Sequence, residues 1–296
     1  MNATMGAPRS PTASRTVRRR ACTFVALAAL ALTACGSQSP TPSSPTPPPT
    51  ANTASSGLAL KGDPESAEGA TWTFTGNVAG ATVDLQGILL KPRGGGPFPA
   101  VIISHGAGGN AAGYSQSIAN EMVTWGLVCI ATNYTHAAGV PIGSPGTTNE
   151  PGASPANVAR ARAAYEILRS LAYVDLTRVA AHGHSMGAFV TTALVASFPN
   201  DFRAASHTAG GVRPDSSSGA APTESQARSI RAPYQLHHGN ADTTVALTMD
   251  QRLADVLQGI GTSRELFVYQ GFEHNDVSRD PTVLTRIRAW YAAHGM

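Results

Sequence analysis

Three residue types that together can activate an alcohol lie along this chain in the order serine, aspartate, histidine. The serine is Ser185, in Gly183-His184-Ser185-Met186-Gly187. Before it, Arg178-Val179-Ala180-Ala181-His182 reads as a short buried strand, and after it Ala188 through Ala196 reads as a helix. A serine on a sharp strand-to-helix turn is held strained with its hydroxyl exposed, and flanking glycines let such a turn close without side-chain clashes. The new helix also aims its N-terminus at the site, which favours negative charge there. An inactive strand–helix turn could carry the same five residues, so the pentapeptide needs partners.

A serine hydroxyl is a weak nucleophile. It needs a base, and the base needs an orienting acid. Leu236-His237-His238-Gly239-Asn240-Ala241-Asp242 reads as a strand end followed by a loop aspartate, and Leu266 through His274 as a strand followed by a loop histidine. Both follow predicted strands, so a parallel sheet would bring Ser185, Asp242 and His274 to its carboxyl edge. Asp276, Asp250 and Glu273 compete with Asp242 for the acid role, Asp276 because it is close in sequence to His274. Upstream, the apolar run Ala100-Val101-Ile102-Ile103-Ser104 ends in His105-Gly106-Ala107-Gly108-Gly109. A glycine-rich turn there can offer a backbone N–H to an oxyanion, with a second from the residue after the nucleophile, Met186. Ala107 is the expected first donor and Gly106 the alternative. His184 and His105 are expected to touch substrate. His182, His184, His237 and His238 cluster near the turn, but no carboxylate or cysteine set completes a zinc site, so no metal and no cofactor is expected.

These segments resemble the α/β-hydrolase superfamily, and within it the dienelactone-hydrolase and polyester-hydrolase (cutinase-like) side. The resemblance covers about residues 70 to 296. Its carriers are His105-Gly-Ala-Gly-Gly, Gly183-His-Ser-Met-Gly, His238-Gly239 with Asp242, and His274. It implies a mainly parallel sheet covered by helices on both faces, and a serine esterase with a Ser-Asp-His triad working through an acyl-enzyme. Two departures bear on substrate. Dienelactone hydrolases proper use a cysteine nucleophile where this chain has Ser185. Polyester hydrolases usually follow the turn with further glycines and often carry a late disulfide, whereas Ala188 and Phe189 stand here and the cysteines end at Cys129.

The elements that must position these residues can be read coarsely. Residues 71–74 and 81–85 alternate and read as antiparallel leading strands. Further strands are predicted near 100–104, 127–132, 178–183, 203–207, 233–237 and 265–270. Helices are predicted near 157–172, with Val158, Ala161, Tyr165, Leu168 and Ala172 on one face, and near 246–260 and 280–294. Strand and helix in alternation indicate an α/β fold with a parallel sheet. Two irregular segments, 136–157 and 209–229, follow strands at the carboxyl edge and are expected to overhang the nucleophile. Neither carries a long apolar helix, so an open cleft is expected, taking small-molecule or polymer-end esters.

Charge and cysteines speak to location. Arg15, Arg18, Arg19 and Arg20 precede an apolar run from Phe24 to Ala34, too short to span a bilayer, and Leu32-Thr33-Ala34-Cys35 closes it. That ending resembles a bacterial lipobox, so residues 1–34 are expected to be a signal peptide and Cys35 a lipidated mature N-terminus. Arg19-Arg20 is a weak twin-arginine hint. Residues 35–57, rich in Ser, Pro and Thr, read as a disordered linker, and 58–296 as the catalytic domain. The expected location is the cell envelope, anchored to membrane through lipid, as a monomer. The formal charge of +3 comes from 21 basic and 18 acidic residues. The five arginines before Cys35 would leave with the signal, so 16 basic residues would face 18 acidic ones, and nucleic-acid binding has no electrostatic support. Cys22 would leave as well, and Cys129 reads as an inert core residue. Two other functional classes remain open. One is a peptidase of the prolyl-oligopeptidase type, which carries a large propeller where this chain has a short linker. The other is a non-catalytic envelope lipoprotein, against which the complete Ser-Asp-His set argues.

Overall fold

The computed structural model of the protein describes residues 57–78, 81–138 and 151–296. The basic and apolar N-terminal segment, Cys35 and the Pro/Ser/Thr-rich stretch lie outside the described residues, as does 139–150 of the first irregular segment.

Among the described residues nine strands form one sheet in the order β1-β2-β3-β5-β4-β6-β7-β8-β9. The leading strands β1 (Leu58–Gly62), β2 (Ala70–Val78) and β3 (Ala81–Leu90) pair antiparallel, and β3 pairs antiparallel with β5 (Val128–Thr132). From there β4 (Phe98–Ser104), β6 (Val174–His184), β7 (Ala204–Thr208), β8 (Tyr234–Gly239) and β9 (Arg264–Tyr269) continue the sheet in parallel. This is the α/β-hydrolase fold expected from the sequence. The parallel strands are runs such as Ala100–Ile103 and Val128–Ala131, apolar at consecutive positions because both faces are covered.

Helices α1 (Gln116–Thr124) and α6 (Pro281–Ala293) cover one face through Ile118, Met122, Val283, Ile287 and Tyr291. Helices α2 (Pro155–Ser170), α3 (Met186–Ser197) and α5 (Leu247–Gly259) cover the other through Ala161, Leu168, Val190, Leu194, Leu253 and Leu257. A short α4 (Glu224–Ala227) is fixed by a capping box between Thr223 and Gln226. Helix α3 is buried from Gly187 to Ala196, which explains why it is apolar all round instead of in a stripe. Helix α2 ends two residues earlier than predicted. Ala161, Tyr165 and Leu168 are buried, but Ala172 lies past the helix and is exposed, because Leu171 has already turned into extended backbone. Cys129 is a buried free thiol in β5. No helix among the described residues is long and apolar enough to cross a membrane.

Candidate active site

The parallel strands deliver the candidate residues to one sheet edge. Ser185 follows β6 at once, Asp242 follows β8 and His274 follows β9. Ser185 has φ 56° and ψ −124°, a strained conformation for a non-glycine residue that costs on the order of 1–3 kcal/mol. Its N–H donates to Thr208 O at 3.0 Å, and its carbonyl accepts from the N–H groups of Ala188 and Phe189 at 2.9 and 3.2 Å. The surrounding bonds therefore over-determine the turn. Both flanking glycines are required by space. A Cβ on Gly183 would lie 2.3 Å from Gly187 O, and one on Gly187 would lie 2.1 Å from Ser104 O.

Ser185 Oγ lies 2.8 Å from His274 Nε2, and His274 Nδ1 lies 2.7 Å from Asp242 Oδ2. A carboxylate only accepts, so Nδ1 carries the imidazole proton and Nε2 is free to accept from the serine. Asp242 Oδ1 accepts from the N–H groups of Thr244 and Val245 at 2.8 and 2.9 Å. Burial pushes the Asp242 carboxyl up, but the bonds from His274, Val245 and Thr244 outweigh it and leave it below its ordinary value. The competing acids are placed elsewhere. Asp276 Oδ2 accepts from the Glu273 N–H in the same loop. Asp250 is buried between His207 and His238.

Ser185 and His274 open on a cavity of about 440 Å³. Its other lining comes from Gly106–Gly109, Tyr114, His184, Thr244, Asn275, Ser278 and Arg279. Ala107 is exposed there, and among the described residues no intramolecular hydrogen bond engages its N–H or that of Met186. Gly106 is buried and its carbonyl accepts from His105 Nδ1 and from the Gly109 N–H.

Several expectations are corrected here. His105 is fully buried and does not line the cavity. Its Nδ1 donates to Gly106 O, and its Nε2 accepts from the Tyr134 N–H at 3.2 Å, so it ties the glycine-rich loop to the strand end after β5. The described part of 209–229 does not line the cavity either. Ala220 and Ala221 pack with Phe189, Val245, Met186 and Met249 beside α3, and with Pro151–Pro155 they border a separate hollow of about 560 Å³. The wall is instead built by the loop after His274 and by Tyr114 in the π turn before α1. Sequence reading missed Asn275, Ser278, Arg279 and Tyr114 as lining. The first three lie within five residues after His274, a signal that nearness in sequence could have supplied.

His184 does line the cavity, with Nδ1 on Thr208 Oγ1 at 3.0 Å and Nε2 on Asn275 Oδ1 at 3.3 Å. His182 contacts Ser206 Oγ and Tyr114 OH, and His237 contacts Tyr269 OH and Gln235 Oε1. Burial lowers His105 and His184 to about 4 and His182 to about 3. These groups fold neutral while the unfolded chain takes up protons near pH 6.5. Their contribution is thus complete above about pH 6.5 and is lost as pH falls toward their folded values. The urea midpoint should decline steadily between about pH 6.5 and pH 4. A midpoint that stays flat over that range would show that these rings are not kept neutral.

A mainly parallel sheet, a strained serine turn at its carboxyl edge and helices on both faces define the class: this is a hydrolase of the α/β-hydrolase fold. The chain belongs to the dienelactone hydrolase family, whose pattern residues 85–289 match. No curated protein matches the sequence. Among solved structures it is similar to a cold-adapted esterase from an Arctic intertidal metagenomic library, with 18% identity, TM-score 0.61 and coverage of 80% of this chain and 99% of that one. It is also similar to a thermophilic esterase of Thermogutta terrifontis, with 15% identity, TM-score 0.57 and coverage of 75% and 94%. The acylaminoacyl peptidase of Pyrococcus horikoshii gives 16% identity and TM-score 0.61 over 75% of this chain and 40% of that one. The chain spans only 35% to 41% of the length of the peptidases it resembles.

Proposed function

We propose that this protein cleaves carboxylic esters through an acyl-enzyme on Ser185. The observation that carries the reading is the unbroken chain from Ser185 Oγ through His274 to Asp242, with contacts of 2.8 and 2.7 Å, at the mouth of a cavity. Ser185 attacks the ester carbonyl while His274 Nε2 takes its proton. The oxyanion meets the N–H groups of Ala107 and Met186 at the start of α3, where the helix dipole adds to the stabilisation. His274 then gives its proton to the leaving alcohol. In the second half it takes a proton from the water that attacks the acyl carbonyl, then returns it to Ser185 Oγ as the acyl–oxygen bond breaks and the acid leaves. Asp242 holds the Nδ1–H tautomer throughout. Two solved esterases share this fold along nearly their whole length, which supports ester cleavage. A second feature narrows the substrate. Arg279 lines the cavity beside Ser278 and faces the Tyr114 ring at 5.8 Å, a cation that favours esters carrying a carboxylate.

The test is a panel of p-nitrophenyl esters of rising chain length, with a carboxylate-bearing ester and a peptide anilide. kcat/KM should peak from acetyl to octanoyl, because each further methylene needs apolar surface to gain about 0.8 kcal/mol. EDTA should leave it unchanged. Arg279→Gln should weaken only the carboxylate-bearing ester, through KM. Faster cleavage of the anilide than of any ester would overturn the reading. So would a preference for long chains with activation at an oil–water interface.

We also propose that the enzyme is exported and held at a membrane of the cell envelope through an acylated Cys35, on the strength of Leu32-Thr33-Ala34-Cys35 and the linker after it. Acyl chains contribute about 0.8 kcal/mol per buried CH₂, so Cys35→Ser should block processing or release soluble enzyme. An unmodified mature N-terminus beyond Cys35, seen by mass spectrometry in the native host, would refute this.

A further inference from the structure

Asp242 has a neighbour that the reaction above does not use. Its Oδ2, which holds His274 Nδ1, is also approached by the fully buried side chain of His238. The Nε2 of this ring is 2.9 Å from Val245 O and 3.3 Å from Asp242 Oδ2. Its Nδ1 is 2.7 Å from Asp250 Oδ2. A carbonyl and a carboxylate accept and never donate. With Asp250 ionised, each nitrogen of the ring faces an acceptor and carries a hydrogen, which makes His238 an imidazolium.

The rest of the cluster agrees. Asp250 sits on α5 and is fully buried. Its Oδ1 accepts from His207 Nε2 at 2.6 Å, and its Oδ2 also takes the Gly210 N–H at 3.4 Å. His207 Nδ1 faces Tyr234 OH and Thr192 Oγ1, hydroxyls that can donate to it, so this second ring needs no charge. Burial alone would push the Asp250 carboxyl up, yet the facing His207 and His238 hold it well below the ordinary range. Burial likewise opposes the His238 cation, and the bonds to Asp250 and Val245 with the charge of Asp242 overcome it. A buried anion thus faces one cation, in the paired arrangement that makes buried charge tolerable.

We propose that His238, held as an imidazolium by Asp250, is a positioning residue that keeps Asp242 ionised and opposes protonation of His274. The proposal rests on the ester-hydrolase reading for its effect on rate. Its physical basis is that two imidazoles share Asp242 Oδ2, His274 through Nδ1 at 2.7 Å and His238 through Nε2 at 3.3 Å. A fixed positive charge on one ring makes a second on the other less favourable. His274 then sheds its proton, and becomes a competent base, at a lower pH than it would with Asp242 alone. The groups facing His238 are Asp242 and Val245 from the loop after β8 and Asp250 from α5, whose other oxygen holds His207 of β7. Beyond them stand His237 on β8 and His184 on β6, both kept neutral by burial, so neither rivals His238 as the local cation.

The experiment is the pH profile of kcat/KM for a short-chain ester, in the wild type and in His238→Gln, whose amide fills similar space without charge. The acid limb of the variant should move to higher pH by about half a unit or more, with the alkaline plateau kept within roughly tenfold. A superimposable limb, or a uniform loss at every pH with the limb in place, would overturn the proposal. A second measurement needs no variant. The imidazole ¹⁵N spectrum of the wild type, assigned through the backbone, should show both nitrogens of His238 protonated at neutral pH, and one bare nitrogen there would overturn the assignment. That spectrum reads His238 whether or not Ser185 is the nucleophile. Ester cleavage that survives Ser185→Ala would instead break the functional reading and leave the His238 charge standing.

Discussion

Ser185→Ala or His274→Ala should lower kcat by roughly 10⁴–10⁶-fold while leaving the fold intact. Neither side chain is a packing element of the core. Ser185 Oγ contacts His274 Nε2 at the cavity mouth, and the His274 side chain is partly exposed there. Asp242→Asn should be nearly as severe, with a loss of about 10⁴-fold, for a reason visible in the bonds. Oδ1 of Asp242 accepts two fixed backbone N–H bonds at 2.8 and 2.9 Å, against one longer approach of 3.3 Å from His238 on Oδ2, so an asparagine keeps its oxygen on the Oδ1 side. Its NH₂ group then faces His274 Nδ1. That nitrogen must become the acceptor, and the proton moves to Nε2, against the serine hydroxyl. The wrong tautomer cannot take the serine proton. Steady-state kinetics on a short-chain ester, with fluorophosphonate labelling of Ser185, checks all three variants. Should Asp242→Asn be nearly silent while Asp276→Asn abolishes activity, the acid has been misassigned.

The core of this arrangement was legible because each part has a local signature. The parallel strands are continuous apolar runs, and the serine turn, the glycine-rich loop and the two loop residues each follow such a run. What was not legible depends on neighbours distant in sequence. Strand β1 lies at the sheet edge with four exposed residues out of five, so burial left no alternation in it. Helix α1 has no acidic residue in its first turn and no side-chain cap, and it continues out of a π turn, so the usual start signals are missing. Asp250 looked like a rival for the acid role. Only the packing of α5 against β7 and β8 reveals that its carboxylate is spent on His207 and His238. His105 looked like a substrate contact because it opens the glycine-rich loop, yet its ring turns inward to the Tyr134 N–H. The sequence places a residue on a loop, and tertiary packing decides which way its side chain turns.

Gly187→Ala should strike the fold and the chemistry together. The added Cβ would lie 2.1 Å from Ser104 O, 2.5 Å from Ser104 C and 2.6 Å from His105 O, and all three are backbone atoms. No side chain can swing away to relieve the overlap, so α3 must back off β4 by on the order of an ångström. The cost should reach about 4 kcal/mol or more, at the diagnostic end of single-residue effects. The chemistry should suffer separately. Ser104 and His105 lead into the loop that presents Ala107, and Gly187 is two residues after Ser185. One displacement therefore shifts Ser185 and the N–H groups of Ala107 and Met186 together, and on the proposed mechanism such a shift costs roughly 10²-fold or more in rate. Gly259→Ala supplies the control. It ends α5 with nothing within 4 Å of its would-be Cβ. Alanine there should be neutral or stabilising by up to about 1 kcal/mol. Urea melts of the two variants, with fluorophosphonate labelling rates, separate the effects. If Gly187→Ala melts and labels like the wild type, the close approach of α3 to β4 is not what holds the serine turn in place.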